Sequence, residues 1–366
     1  MLNSNYPPKR GFTSSEFEIR LLKAHKIMHK HQLDVLMLTM PANIRYFSGF
    51  DTQFLHSPTR PWFLVIPFEE EPIAVIPEIG KSVMQSTWIK NISTWHSPNP
   101  KDDGISLLSS VINGKKSKYN RIGAELGREM SLRMPLIDFD ILKTKINSKI
   151  VDGTPAIWEI RMIKTEAEVT HINHICKITS QAYNDLPNFL KIGETEKNAA
   201  DKLKMDIIRR GADTIPYMPV VSGKNGISQI ISGPSDRVLN NGDVLFIDTG
   251  STYDGYFCDF DRNFAIGKVS DTVSKTYELL WEATEAGIKS AIPGANTGDI
   301  WYEMNKVIES KTNIRNDVGR FGHGLGLQLT EPPSHTFNSK NKILKNMVLT
   351  IAVSYTHLTL PTKRIV

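Results

Sequence analysis

The chain has 366 residues, enough for two domains, and its 40% hydrophobic and 23% charged residues are ordinary for a globular protein. The net charge of +5 is a mild excess, and no dense run of lysine or arginine predicts binding to nucleic acid or to a membrane surface. Two cysteines exclude a disulfide framework and a zinc site built on several cysteines. Because no apolar run has the length of a membrane span or a signal-peptide core, we expect a cytoplasmic protein without a membrane segment.

Helical and strand patterns alternate over the first half of the chain. Residues 15–32 have apolar side chains at helical spacing, and strand-like apolar runs follow at residues 33–39, 62–67 and 72–77. The alternation continues to about residue 150. It predicts an α/β domain, which we bound at residues 1–155.

Long helices mixed with hairpins are predicted for the second half. Thr165 to Glu168 fits a capping box at the start of a helix. A second helix is expected from Thr195 to just before Gly211, a third at about 272–291 and a fourth from Thr297. This mixture predicts an α+β domain, which we bound at residues 156–351.

The most informative segment is a predicted hairpin at residues 243–262, with two apolar runs around Asp254-Gly255. A tight turn there places Asp248 opposite Asp261, with Asp259 on the same face. A register slipped by two residues places Asp248 opposite Asp259 instead. In either register, carboxylates converge inside an apolar hairpin. Because buried like charges repel, we expect a divalent metal between them.

A second candidate element is Gly322-His323-Gly-Leu-Gly, where glycines leave room for the backbone to bring one imidazole close to another group. Imidazole and carboxylates together suit Mn, Co, Fe or Zn. Arg262 is placed to neutralise Asp261 as a buried pair, which leaves Asp248 and Asp259 for metal. Asp248 and Asp259 are therefore the predicted ligands, and His323 becomes a candidate ligand only if the glycine element lies beside the hairpin.

The remaining histidines do not share a metal-ligand spacing. His171 and His174 lie three residues apart on a predicted helix, and we expect an exposed pair. His335 follows the Gly-His-Gly element closely, but nothing in its spacing assigns it a role. Phosphate-binding, dinucleotide-binding and Gly-x-Ser-x-Gly hydrolase motifs are all missing from the sequence.

These motifs resemble the "pita-bread" metallopeptidases, and the branch with creatinase, prolidase and Xaa-Pro aminopeptidase fits best. The 11-residue step from Asp248 to Asp259 matches the spacing of the family's two aspartate ligands, and His323 stands where its histidine ligand does. Residues 41–50, 60–67 and 159–166 resemble other parts of that branch. The resemblance implies a creatinase-type N-terminal domain before a pita-bread catalytic domain. It also implies a homodimer and two divalent ions (Mn, Co or Zn) that activate a water to attack a small peptide or amide.

Three departures from the family pattern concern the site. Ile231 and Thr330 stand where proline-specific members carry histidines, so Glu331, beside Thr330, is our candidate catalytic residue. Thr330, Asp261 and Arg262 are expected to support it. Ala352 stands where the family has its fourth ligand, a glutamate.

The end of the chain, residues 352–366, does not resemble the family. It resembles translated sequencing-adapter readthrough, so we expect a non-native tail, an incomplete catalytic domain and little activity. His357 is available in this tail as a substitute ligand, but we do not expect it to act as one.

Three functions remain open at this point. The first is a dinuclear-metal hydrolase of the Xaa-Pro peptidase type. The second is a metal-independent creatinase-like C–N hydrolase or a lyase, and the third is a non-catalytic binding module on the same fold.

Overall fold

The structure is a computed structural model that describes residues 7–58, 60–311, 319–355 and 358–360. Gly11–Arg161 forms one compact unit, here called the N-terminal unit. Arg10 and the chain from Met162 onward belong to the other, here called the C-terminal unit.

The N-terminal unit is built on a mixed sheet with the strand order β4-β3-β2-β1-β5-β6. Its strands are β1 (Val35–Leu38), β2 (Phe63–Pro67), β3 (Ile73–Pro77), β4 (Asn91–Trp95), β5 (Arg121–Ala124) and β6 (Lys149–Asp152). The helices are α1 (Ser14–His31), α2 (Pro41–Ser48), α3 (Lys81–Gln85), α4 (Ile105–Asn113), α5 (Leu136–Lys145) and α6 (Thr154–Met162). Pairing is antiparallel from β1 through β3 and parallel elsewhere. The strands β1, β2 and β3 are buried throughout, because both faces of this sheet are covered.

A buried carboxylate joins β5 to the start of α2. Glu125 follows β5, and its Oε2 accepts hydrogen bonds from the amide and the hydroxyl of Thr39, at 2.7 and 2.5 Å. The Met40 amide and Asn43 Nδ2 also donate to this carboxylate. Glu125 therefore satisfies donors at the N-terminus of α2 from a position far away in the sequence.

The C-terminal unit combines four long helices with short and long strands in its described residues. The helices are α7 (Glu166–Asp185), α8 (Glu196–Arg209), α9 (Asp271–Ser290) and α10 (Thr297–Lys311). The strands are β7 (Thr214–Tyr217), β8 (Val220–Lys224), β9 (Asp243–Tyr253), β10 (Tyr256–Phe257), β11 (Phe260–Ile266), β12 (His323–Gly324), β13 (Glu331–Ser334), β14 (Val353–Tyr355) and β15 (Leu358–Leu360). These bounds confirm the four predicted helices and the hairpin.

Local signals explain where two of these helices begin. Thr165 and Glu168 form the predicted capping box before α7. Thr195 caps α8 in the same way, and Gly211 follows that helix with a positive φ of 112°. None of the helices in the described ranges combines the length and the apolar character needed to span a membrane.

The long strand β9 is the centre of the main sheet. It pairs with β10 and β11 along one edge and with β7 and β8 along the other. Asp261 lies opposite Asp248, which confirms the first of the two predicted registers. Asp254 occupies the turn with a φ of 49°, as a tight two-residue turn requires.

Candidate functional site

Three aspartates of the hairpin lie close enough to interact electrostatically. Asp248 lies on β9 opposite the buried Asp261, and Asp259 lies in the break between β10 and β11. Burial raises the pKa of Asp248 well above its ordinary value, and the charges of Asp259 and Asp261 raise it further. Asp248 Oδ1 is buried and has no hydrogen-bond partner among the described residues. An unsatisfied buried oxygen beside two carboxylates favours a cation or a proton at this point.

Tyr217 contacts the same aspartate, although the sequence did not identify it. Its hydroxyl lies near the Asp248 carboxylate, and burial together with that charge raises the pKa of Tyr217, so the hydroxyl remains protonated. The end of β7 holds Tyr217 opposite Gly250 of β9. Only the strand pairing brings the two together, because they are distant in sequence.

His323 faces the third aspartate. Its Nε2 lies 3.3 Å from Asp259 Oδ2, and its Nδ1 lies 2.8 Å from the carbonyl oxygen of Gly324. Because that carbonyl can only accept, Nδ1 carries a proton, and a neutral ring directs the lone pair of Nε2 at the carboxylate. The lone pair of His323 Nε2 then faces the Asp259 carboxylate, and this arrangement favours a proton or a cation between the two groups.

The segment 347–352 supports His323 from one side. The Thr350 amide donates to the His323 carbonyl at 2.7 Å, and the His323 amide donates to Thr350 Oγ1 at 3.1 Å. Gly324 forms a bridge with Leu349, and the Ala352 amide donates to the Phe321 carbonyl. Ala352 therefore lies in the segment that flanks the histidine.

The predicted supporting residues are found in different settings. Arg262 donates to the backbone carbonyl of Asp261 at 2.6 Å, and its guanidinium lies over the rings of Phe260 and Tyr183. Thr330 lies, partly exposed, in the loop before β13, and Ile231 is 81% exposed. The support expected from Asp261, Arg262 and Thr330 stays a prediction.

Glu331, the candidate catalytic residue, is buried. Its Oε2 lies 3.0 Å from Lys164 Nζ, and both side chains are almost fully removed from solvent. Its Oε1 accepts a hydrogen bond from the Gln328 amide at 3.2 Å. Lys164 was not identified from the sequence. The only signal for it was its place in the segment 159–166, which resembles the start of the family's catalytic domain.

The prediction of an exposed histidine pair on α7 is wrong. His171 is buried, with Nε2 3.3 Å from Asp254 Oδ2, and the His174 ring packs on Tyr253 at 4.5 Å. The reason is that this face of α7 packs against the turn of the hairpin. His335 is also fully buried, and its Nε2 lies 3.0 Å from the Thr350 carbonyl oxygen.

The described side chains have some of the features that a metal site requires. Favourable features are the unsatisfied Asp248 Oδ1 and the contact between His323 and Asp259. However, within the described ranges no three side chains of His, Cys, Asp or Glu form a group that could hold a metal ion. The donor set therefore does not fit the closed two-metal centre that the resemblance implies. The ligand roles of Asp248, Asp259 and His323 stay a prediction, and His357 lies outside the described residues.

Comparisons with known proteins agree with this architecture. The chain is 25% identical over 329 residues to the probable dipeptidase PepE of Mycobacterium tuberculosis, which covers 88% of this chain and 84% of that protein. It is 22% identical over 333 residues to the Xaa-Pro dipeptidase of Pyrococcus furiosus, covering 91% and 89%. The crystal structure of dipeptidase PepE from Mycobacterium ulcerans shares the fold, with a TM-score of 0.81, 24% identity and coverage of 96% and 92%.

Family matches cover both units. Residues 20–163 match the creatinase/prolidase N-terminal domain, and residues 170–363 match metallopeptidase family M24. The second match extends into residues 352–366, the segment in which the sequence motifs showed no resemblance to the family. The second match covers more than half of the chain, and the resemblance found in the sequence is confirmed. The chain therefore belongs to metallopeptidase family M24 and carries a creatinase/prolidase-type N-terminal domain.

Proposed function

We propose that the C-terminal unit is built to hydrolyse small peptides, as an Xaa-Pro dipeptidase-type hydrolase that depends on divalent metal. We propose also that the chain performs this reaction poorly, because Ala352 replaces a carboxylate ligand. The observation that carries the proposal is the buried, unsatisfied Oδ1 of Asp248 beside Asp259, which in turn faces His323. The named activities of the relatives from Mycobacterium tuberculosis and Pyrococcus furiosus support the peptide substrate.

The chemistry of these three side chains supports a role for metal. Carboxylate oxygens and a neutral imidazole are ligands for Mn, Co and Zn. A bound metal would supply a water activated for attack on the amide carbon. The chain's own contribution is to hold the donors in place: Tyr217 orients Asp248, and the Gly324 carbonyl sets the tautomer of His323.

The position of residue 352 explains why metal binding should be weak. Side chains alternate along an extended strand, so residues 350 and 352 share a face. The Thr350 hydroxyl on that face contacts the His323 amide. A glutamate at 352 would therefore add a carboxylate on the side of the histidine, and alanine cannot.

The test is to replace Ala352 by glutamate and measure Mn²⁺ and Co²⁺ binding by calorimetry. We expect A352E to bind Mn²⁺ at least about tenfold more tightly than the unaltered chain, because a charged ligand is added. Hydrolysis of dipeptides with and without a C-terminal proline is measured in parallel, with and without chelator. The matched control is A265E, which adds the same charge at an exposed alanine of β11.

Two results would contradict the proposal. Rapid, metal-loaded hydrolysis by the unaltered chain would show that the site needs no carboxylate at 352. The proposed dependence on metal would be contradicted if Mn²⁺ binding were equal and negligible for the unaltered chain, A352E and A265E.

A second candidate is a binding module that keeps the fold without catalysis. It is favoured by the lack of a three-ligand group in the described ranges. Under this alternative, dipeptides bind to the chain and to A352E and are released intact.

A creatinase-like C–N hydrolase is distinguished by hydrolytic activity that persists in the presence of chelator. The homodimer stays a prediction, which light scattering tests by measuring the molar mass in solution. The cytoplasmic location also stays a prediction.

A further inference from the structure

We propose that the buried ion pair of Lys164 and Glu331 is a positioning device. It holds the glycine loop, defined as residues 322–331, in the conformation that presents His323 to Asp259. This assigns Glu331 a positioning role in place of the catalytic role predicted from the sequence. The inference concerns the geometry of the loop and does not depend on whether the chain hydrolyses peptides.

The two charges come from segments 167 positions apart in the sequence. Lys164 lies between α6 and α7, where its amide donates to the Asn346 carbonyl and the neighbouring Ile163 bridges Met347. Its side chain contacts Glu331 at the start of β13, with Nζ and Oε2 3.0 Å apart. Lys164 thus links the segment that supports His323 with the far end of the glycine loop.

The loop is folded around the Glu331 carboxylate. The Gln328 amide donates to Oε1 at 3.2 Å, and the Gly326 amide donates to the Gln328 carbonyl at 3.1 Å. A Cβ at Gly326 would lie 2.8 Å from Oε1 and 2.9 Å from Oε2. The carboxylate is therefore the group on which the turn at residues 326–328 closes.

The same loop contacts both arms of the hairpin, close to two of its aspartates. The Phe257 amide donates to the Gly326 carbonyl at 2.8 Å, two residues before Asp259. A Cβ at Gly250, two residues after Asp248, would lie 2.7 Å from Leu329. Any opening of the turn at Gly326 would therefore change the relation between His323 and the hairpin.

Energetics favour a geometric role for this pair over a purely stabilising one. Two charges removed from water lose hydration, and a well-packed apolar pair is often at least as stabilising as a buried ion pair. What an apolar pair cannot do is accept the Gln328 amide hydrogen bond and direct the turn. The pair thus defines one loop conformation.

The test compares K164M, E331M and the double variant K164M/E331M with the unaltered chain. Each single variant leaves one buried group unpaired, whereas the double variant is neutral and close in shape. We expect the double variant to keep a cooperative unfolding transition. Hydrogen exchange at the amides of Gly326, Gln328 and Phe257 should still rise at least about tenfold, because the loop opens locally. The imidazole ¹⁵N signals of His323 should shift in the same variant.

Conservative variants keep the test decisive if the neutral double variant does not fold. K164R preserves the charge pair and should retain slow exchange. E331D withdraws the carboxylate by one methylene and should speed exchange at Gln328. The matched control is R237Q/D243N, which removes another ion pair of the same unit, at 2.8 Å, and should leave the His323 signals unchanged.

Exchange in the double variant within about twofold of the unaltered chain, with unshifted His323 signals, would overturn the proposal. These readouts use the protein without metal or substrate. Failure of the positioning role and failure of the proposed hydrolase activity are therefore distinguishable.

Discussion

His323 and Asp259 face each other with 3.3 Å between the imidazole Nε2 and the carboxylate Oδ2. Because the Gly324 carbonyl holds the proton of the ring on Nδ1, this contact needs either a second proton on the ring or a cation between the two groups. The contact joins the hairpin to the glycine loop.

Replacing Asp248 by asparagine should stabilise the metal-free chain at neutral pH. Burial and the neighbouring aspartates raise the pKa of Asp248 above its ordinary 3.8. Its carboxyl group therefore contributes stability below pH 3.8, and this contribution is lost as the pH rises through the raised value. We expect D248N to increase the free energy of unfolding by about 1–3 kcal/mol, as removal of an unsatisfied buried charge would. Urea unfolding with chelator present measures it.

The control for D248N is D243N on the same strand. Burial acts to raise the pKa of Asp243, but Arg237 and the Asn240 amide outweigh it and lower the pKa. D243N should therefore destabilise the chain at neutral pH. Added Mn²⁺ should stabilise the unaltered chain more than D248N. A less stable D248N in chelator would contradict the account of Asp248.

Replacing Gly326 by alanine should disturb the glycine loop. The new Cβ would lie 2.8 Å from Glu331 Oε1, closer than carbon and oxygen normally approach. We expect a loss of about 1–3 kcal/mol in the free energy of unfolding, typical of overpacking. Thermal unfolding measures it. The control is G319A, where no described atom lies within 4 Å of the added carbon. Equal stability of the two variants would contradict the tight wrapping of the loop.

His335 should make the chain sensitive to acid. Burial lowers the pKa of His335 from 6.5 to about 4, so the folded state favours the neutral ring. Its contribution to stability is complete above pH 6.5 and is lost as the pH falls from 6.5 to about 4. The loss amounts to about 3 kcal/mol across that range. We expect H335Q to have a flatter profile in urea unfolding measured at several pH values.

His171 provides the opposite case. Burial acts to lower its pKa, but Asp254 and the Ala167 carbonyl raise it above 6.5. The contribution of His171 to the stability of the fold is complete below pH 6.5 and is lost as the pH rises through the raised pKa of this side chain. H171Q should therefore change the alkaline side of the profile and H335Q the acidic side. The same change from both variants would contradict these environments.

Replacing Glu125 by alanine should destabilise the N-terminal unit. The change removes the acceptor for the Thr39 and Met40 amides and for the Asn43 side chain, which are buried or partly buried. We expect a loss of about 2–4 kcal/mol, since several donors are left unsatisfied. Urea unfolding of the full chain measures it. The matched E125Q variant keeps one acceptor and the shape of the side chain, so it should lose less; a loss as large as that of E125A would contradict this role.

Much of the fold could be predicted because its signals are local. The capping box at Thr165 and the end of α8 before Gly211 follow from local chemistry, and the turn at Asp254-Gly255 limited Asp248 to two registers, of which the structure shows the one opposite Asp261. Long-range contacts carry no such periodic signal. The exposed setting expected for His171 was wrong for this reason, because its burial depends on a turn more than 80 positions away.

In the candidate site, too, features set by neighbouring positions could be predicted, and contacts between distant segments could not. The sequence by itself determined the family, the hairpin that carries Asp248 and Asp259, and the glycines around His323, because motif spacing and turn residues are properties of neighbouring positions. Only the tertiary structure decided that His323 directly contacts Asp259, that Tyr217 lies near Asp248 and that Glu331 is buried against Lys164. These contacts join distant segments, and packing of the whole unit, with the burial of charge that it imposes, sets which of them form.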